Sequence, residues 1–477
     1  LQMLHWSIRH PWRLLATAVI LLVMSVRVMG WVGSEMLPKF DSGSFEVSID
    51  MAPGTPLEAT LEAVTHAETH LLAEPSVTDI SSQIGYEIGG HFLGSRGAMD
   101  TNQAQITVTM TARTERDRSI WDVMGDVRAA LAEYPGAVLA ITREKGGTAR
   151  STTAAPIDVR LSGRDPLVLD RLSREVLARM ASIPGLVNPY ANWLVDTPEV
   201  HVNVDRIRAS ELGLSGQQVA DAVYRAMEGN AVTPYRQPYD RDLDVFVRYI
   251  EHDRLDLQAL ENIMLSTVHG VSVPVREVAK LEWRLGPRIV TREDYRQTLD
   301  VLGFTRGRPL SQVIGDVRAA LDNLPLPAGY ELDITGEQAD FESARSRMLR
   351  ALAFGIFAVY LVLVAQFRSF SHPATIMVAI PLQFVGVGIA LLAAGKYLSM
   401  PALLGIILLT GTVVNNSIVL IDYMLQRLRA GETLDDAVTD SVAVRFRPIM
   451  MTALSDVAGM LPLALELAVG AERFSPI

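Results

Sequence analysis

Two adjacent amides and a carboxylate stand where a chain rarely keeps polar groups. Asn415 and Asn416 lie near the middle of residues 402–421, a run without one formal charge, and about twenty such residues cross a bilayer core. Asp456 lies inside another apolar run, residues 449–465, one helical turn beyond Thr452, so a helix puts the two on one face. A carboxylate at membrane depth costs on the order of 2.5–3.5 kcal/mol and usually faces a bundle interior or a wet cavity where ions or protons pass. The chemistry these residues suggest is proton exchange. The structural alternative is that the amides and Asp456 serve only helix–helix hydrogen bonds, worth roughly 1 kcal/mol each. Asp422, two turns beyond Asn415, falls near a helix end and reads as solvated.

The elements that would position these groups are membrane helices. Residues 14–33, 351–367 and 374–395 join 402–421 and 449–465 as candidate spans, five in all. The average composition, 49% hydrophobic and 20% charged, hides them because a polar domain lies between the first and second. A net charge of −11 disfavours nucleic acid as a partner, since phosphate binding needs a basic face. Cysteine is absent, which fits an envelope compartment and excludes a Cys-based metal site. No cleavable signal peptide is legible at the start. No nucleophile–base arrangement and no nucleotide or other cofactor motif is legible, so an enzyme is not indicated.

Orientation follows the basic residues of the short loops. Arg9 and Arg13, Arg368 and His372, then Arg427, Arg429, Arg445 and Arg447 mark the cytoplasmic side. Arg345, Arg347 and Arg350 run against the rule but can snorkel. The polar domain and Ile477 are then outside, in the periplasm of a two-membrane bacterium. A start at Leu1 and an end at Ile477 soon after a span lead us to expect a piece of a longer chain.

The polar domain carries a repeat. Residues 123–131 read VMGDVRAAL and residues 313–321 read VIGDVRAAL, differing only at Met124 and Ile314. Each is followed, past Pro and Gly, by a strand-like run, at 137–142 and 330–335. In the first copy, strands at 45–51, 77–83, 105–111 and 137–142 with helices at 56–72 and 119–133 spell βαββαβ, a ferredoxin-like unit. In the second, a strand at 157–161, a helix at 166–183 and a strand at 199–205 precede an insertion between Arg206 and Pro287. The second and third strands of the first copy are joined by Gly85, Tyr86, Gly89, Gly90, Phe92, Gly94 and Gly97, a density of glycine that no helix or strand tolerates. This reads as a mobile loop with aromatic contacts or a plain surface connection.

Five features together resemble one family: Glu35-Met-Leu-Pro38 with Pro53-Gly54-Thr55 after the first span; the duplicated domain with its insertion; Gln366-Phe367-Arg368-Ser369; GTVVNNSIVLIDY at 411–423; and RFRPIMMTALSDVAGMLPLAL at 445–465. The chain resembles the C-terminal half of a resistance-nodulation-division transporter permease of the drug-efflux type. The resemblance implies an α+β membrane protein of the bacterial inner membrane, with a helix bundle and a large periplasmic domain. Residues 1–33 would be the family's seventh span, 34–155 the first porter subdomain, 156–205 and 288–340 the second, 206–287 a docking subdomain, and 341–477 spans eight to eleven. The implied partners are an N-terminal half, two further copies in a trimer, a periplasmic adaptor, an outer-membrane channel, membrane lipid and small amphiphilic substrates.

The resemblance also assigns roles. Residues 85–97 match the loop that separates two drug pockets. Matching the motifs places Asn415 where the family has the lysine of its proton relay, with Arg445 and Thr452 at its arginine and threonine. Replacing lysine by asparagine removes a cation that would pair with a deprotonated carboxylate, so Asn416 and Asp456 are added to the expected path. A heavy-metal exporter of the same superfamily is the alternative. Ser48, Thr101 and Thr148 stand where copper exporters carry methionine, which disfavours copper but leaves zinc open. His201, on the polar face of an alternating strand, reads as solvated. A non-transporting scaffold or translocation component is the third reading.

Overall fold

The computed structural model describes residues 2–85, 100–145, 155–236, 242–250, 257–267, 270–287 and 289–477. They form two compact units, one of Leu1–Trp193 with Ile289–Ile477 and one of Leu194–Arg288.

In the first unit α1 (Gln2–Arg9) leads into α2 (Pro11–Val32), whose proline sits at the first turn where a missing N–H costs nothing. Gly33 ends α2 at φ 77°, and a Cβ there would lie 2.6 Å from Pro309 Cγ, so the exit from the helix requires glycine on two counts. The first sheet follows: β1 (Ser44–Met51), α3 (Leu57–Leu72), β2 (Val77–Ile84), β3 (Gln103–Met110), α4 (Ile120–Ala132) and β4 (Ala137–Glu144). Its antiparallel order is β2-β3-β1-β4, the split βαβ arrangement expected from the pattern. Phe45, Val47 and Ile49 alternate inward and pack on Val64, Leu71, Val127 and Leu131. Ser119 and Asp122 close a capping box at the start of α4.

The second copy begins with β5 (Ile157–Gly163), α5 (Pro166–Met180) and β6 (Leu186–Ala191). The chain then builds the second unit from β7 (Val195–Val204), α6 (Arg206–Glu211), α7 (Gly216–Met227), β8 (Asn230–Tyr235), β9 (Leu243–Val247), α8 (Leu257–Glu261), β10 (Met264–Ser266), β11 (Ser272–Pro274) and β12 (Ala279–Pro287). Its core gathers Ala209, Val219, Leu265 and Val275 beside the paired strands β7 and β12. Back in the first unit come β13 (Thr291–Glu293), β14 (Arg296–Thr305), α9 (Leu310–Leu321) and β15 (Glu331–Gly336). The strand order β6-β14-β5-β15, with β13 folded back on β14, repeats the order of the first sheet. The repeated helices agree in burial: Val123, Val127 and Leu131 in α4, and Val313, Val317 and Leu321 in α9, are all buried.

One strand assignment needs correction. The strand expected at 199–205 as part of the second copy lies in β7 and pairs with β12, and β6 takes its place in the sheet. The reason is local. Residues 199–204 alternate cleanly, whereas β6 holds Pro189 and the left-handed Asn188 (φ 51°) and pairs with β14 through a register shift.

The remaining elements are helices: α10 (Glu337–Phe367), α11 (Ser371–Met377), α12 (Ala379–Ala393), α13 (Met400–Arg429) and α14 (Leu434–Ala464). Among the described residues four helical segments are long and apolar enough to cross a membrane: Pro11–Val32, Glu337–Phe367, Ser371–Ala393 and Met400–Arg429. The fifth expected span, 449–465, falls in the C-terminal part of α14 and is not one of these: the last eighteen residues of that helix carry Arg447, Pro448, Asp456 and Pro462 among the apolar side chains. Ile20, Phe354, Val362, Leu404 and Leu454 stay exposed on these helices, as lipid-facing or partner-facing side chains do. Gly388 brings α12 close to α2, where the Ser25 hydroxyl donates to the Phe384 carbonyl.

Candidate functional site

The polar residues picked out in the membrane segments are not gathered into one cluster. Asn416 and Arg445 are partly buried, whereas Asn415, Thr452 and Asp456 are exposed. The Thr452 hydroxyl donates to its own helix, to the Ile449 carbonyl at 2.9 Å. Among the described residues no hydrogen bond links Asn415, Asn416, Arg445, Thr452 and Asp456 to one another. Arg445 instead lies over the Tyr423 ring, 5.0 Å from its centroid, which joins α14 to α13. Asp422 accepts from Gln426 at 2.8 Å, an i,i+4 contact at the end of α13. Of the glycine-rich loop only Gly85 is placed, at φ 69° with its N–H donating to Gln103 O at 2.9 Å. Tyr86, Gly89, Gly90, Phe92, Gly94 and Gly97 lie outside the described residues.

A cavity of about 550 Å³ lies where the two sheets approach the ends of the membrane helices. The segment that leaves α2 brings Glu35, Met36 and Lys39 to it, α4 brings Trp121, Met124 and Arg128, β4 ends in it at Glu144, and β14 delivers Phe304 and Arg306. The sheets themselves meet beside it through Ile141, Tyr190 and Leu302. Its polar groups are held in place. Trp121 Nε1 donates to Glu144 Oε1 at 2.6 Å, Arg128 donates to Thr142 Oγ1 at 3.0 Å, and Lys39 donates to the Thr305 carbonyl.

Glu35 is fixed by its backbone, whose N–H donates to Leu398 O at 3.1 Å in a bridge between the α2 exit and the turn before α13. Burial pushes its carboxyl up to about 7, with Glu337 and Glu144 adding to the rise and Lys39 and Lys396 opposing it. Burial and then Glu35 push the Tyr397 hydroxyl up. Asp158, on the sheet face turned away from the helices, is 2% exposed, and one of its carboxylate oxygens has no partner among the described residues. Its carboxyl is raised to about 6 by burial and by Asp300, against the pull of Arg160.

None of the cavity residues is among those whose type and spacing point to chemistry in the sequence. Glu35 was visible only as part of a motif, and Arg128 only as part of the repeat; no spacing rule joins them, because the fold brings them from different elements.

The chain matches the model of the AcrB/AcrD/AcrF family over residues 1–477. Crystal structures of a heavy metal efflux pump in two crystal forms superpose on it with a TM-score of 0.81 at 23% identity, covering 97% of this chain and 47% of theirs. This chain therefore spans about half the length of those pumps. A match that runs through both ferredoxin-like sheets, the inserted unit and the membrane helices makes this chain a member of the AcrB/AcrD/AcrF family.

Proposed function

We propose that this chain acts in the proton-driven export of small amphiphilic molecules. In this reading it is half of a permease in the bacterial inner membrane, with the sheets in the periplasm, trimeric, and joined through an adaptor to an outer-membrane channel. The observation that carries the reading is the cavity. Apolar walls from Trp121, Phe304, Met36 and Met124, with a few convergent charges, suit a molecule that is greasy over most of its surface and polar at an end. Residues 34–155 and the sheet of β5, β6, β14 and β15 act as two porter subdomains, and the unit of Leu194–Arg288, which takes in β7, as the docking element. The loop at 85–97 admits and passes on the substrate. Asn415, Asn416, Arg445, Thr452 and Asp456 line the proton path, with α14 crossing the membrane beside α13.

A metal-cation reading would rest on other residues lining the same cavity, Glu35, Glu144, Glu337 and Met36, but among the described residues no three His, Asp or Glu side chains come close enough together to hold a metal ion. Growth of a pump-deficient host carrying the whole pump, challenged in parallel with amphiphilic dyes and with zinc or copper salts, separates the two. Export of amphiphiles predicts resistance to the dyes. Resistance confined to the metal salts would overturn it.

A further inference from the structure

One cation in the cavity lacks a counter-charge. Arg128, half-buried on α4, donates to the Thr142 hydroxyl at 3.0 Å, and among the described residues no carboxylate pairs with it. The charge that acts on it is another cation, Arg306, the residue after β14. Burial and that neighbour both hold the Arg128 guanidinium below its usual range. Arg306 reaches this place because α4 has glycine there: a Cβ on Gly125 would stand 3.0 Å from its Nη1. Gly125 and Arg128 are three apart and share a helix face. Arg306 itself is only loosely held, 3.8 Å from Asp122.

The cavity's acids do not relieve this. Glu144, Glu337 and Lys39 act on Glu35, and none of these groups acts on Arg128. The repeat supplies a comparison within the molecule. Arg318, the matching residue of α9, is exposed to solvent, so the shared motif does not by itself demand an inward guanidinium. A partly desolvated cation facing another cation is costly unless an anion joins them. Guanidinium groups suit carboxylate and sulfate geometry better than any other side chain does. Trp121 and Phe304 line the same space and supply apolar surface next to that anion site.

We propose that this cavity selects acidic amphiphiles, whose carboxylate or sulfate group sits between Arg128 and Arg306 while the apolar body lies against Trp121 and Phe304. The proposal rests on the amphiphile-export reading and narrows its substrate class.

The test uses the full chain in phosphatidylcholine nanodiscs, with empty discs subtracted. Binding of 11-(dansylamino)undecanoic acid is compared with that of its methyl ester by dansyl fluorescence. The acid should bind about tenfold more tightly than the ester, the gain expected of a charge-assisted pair. Arg128→Gln should bring the acid-to-ester ratio close to one while keeping the bond to Thr142, and Arg306→Gln should lower it in part. Arg128→Lys, which keeps the charge without the fork, should retain most of the preference and guards against a loss caused by misfolding. Equal binding of acid and ester to the unsubstituted chain, or a preference that survives Arg128→Gln, overturns the acidic-ligand assignment and leaves amphiphile export standing. Failure of both probes to bind overturns both.

Discussion

Gln383 of α12 donates its side-chain amide to the Thr410 hydroxyl of α13 at 2.8 Å, and both residues are buried. Thr410 in turn donates to the Ile406 carbonyl at 2.8 Å, so its hydroxyl both gives and receives. The Gln383 side-chain oxygen has no partner among the described residues. Thr410→Val should therefore strand a second polar group and destabilise the helix pair by about 1–2 kcal/mol, more than Gln383→Leu, which removes both groups at once. Unfolding of the two variants in detergent checks this, and equal losses would show that the contact is not the source.

Glu35 makes stability depend on pH. Its carboxyl ordinarily titrates at 4.5 and is raised to about 7 in the fold, so the folded chain holds this proton more tightly than the unfolded one. The contribution is complete below pH 4.5 and is lost as pH rises through about 7. Glu35→Gln cannot ionise and should flatten that fall, measured as the midpoint of thermal unfolding between pH 4.5 and 8. An unchanged slope would mean that Glu35 is solvated.

Asp158 follows the same sign in a narrower window, from its ordinary 3.8 to about 6. Asp158→Asn should leave stability near pH 4 little altered and raise it by on the order of 1–3 kcal/mol at pH 8, where the native carboxylate is buried and charged. A destabilised variant at pH 8 would show that the pairing with Arg160 outweighs burial.

Much of this architecture can be read from the chain, and the limits have physical causes. The two VxGDVRAAL helices disclosed the duplication, because a helix that buries Val, Val and Leu at fixed spacing keeps that spacing in both copies. The insertion was legible, but its near edge was displaced because β7 alternates better than β6 does. The second span is longer in the structure than its apolar run, since α10 continues from Glu337 directly off β15. The cavity was not legible: Glu35, Trp121, Arg128 and Arg306 are far apart in sequence and ordinary in type. Only the sheet order places them around one space.

The proton path is tested at Asp456. Asp456→Asn in the whole pump keeps shape and hydrogen bonding but cannot carry a proton. Export should slow at least about tenfold, with a changed pH profile, if Asp456 takes protons with Thr452, Asn415 and Arg445. A normal rate across the working pH range would make Asp456 structural.

In the proposed function amphiphilic substrate passes through the cavity between the two sheets. A photo-crosslinking amino acid placed at Phe304 in the working pump, irradiated while a radiolabelled amphiphile is being exported, measures this directly. The expected result is a labelled adduct on this chain that an excess of unlabelled substrate suppresses. Continued export with no adduct at Phe304 would contradict it.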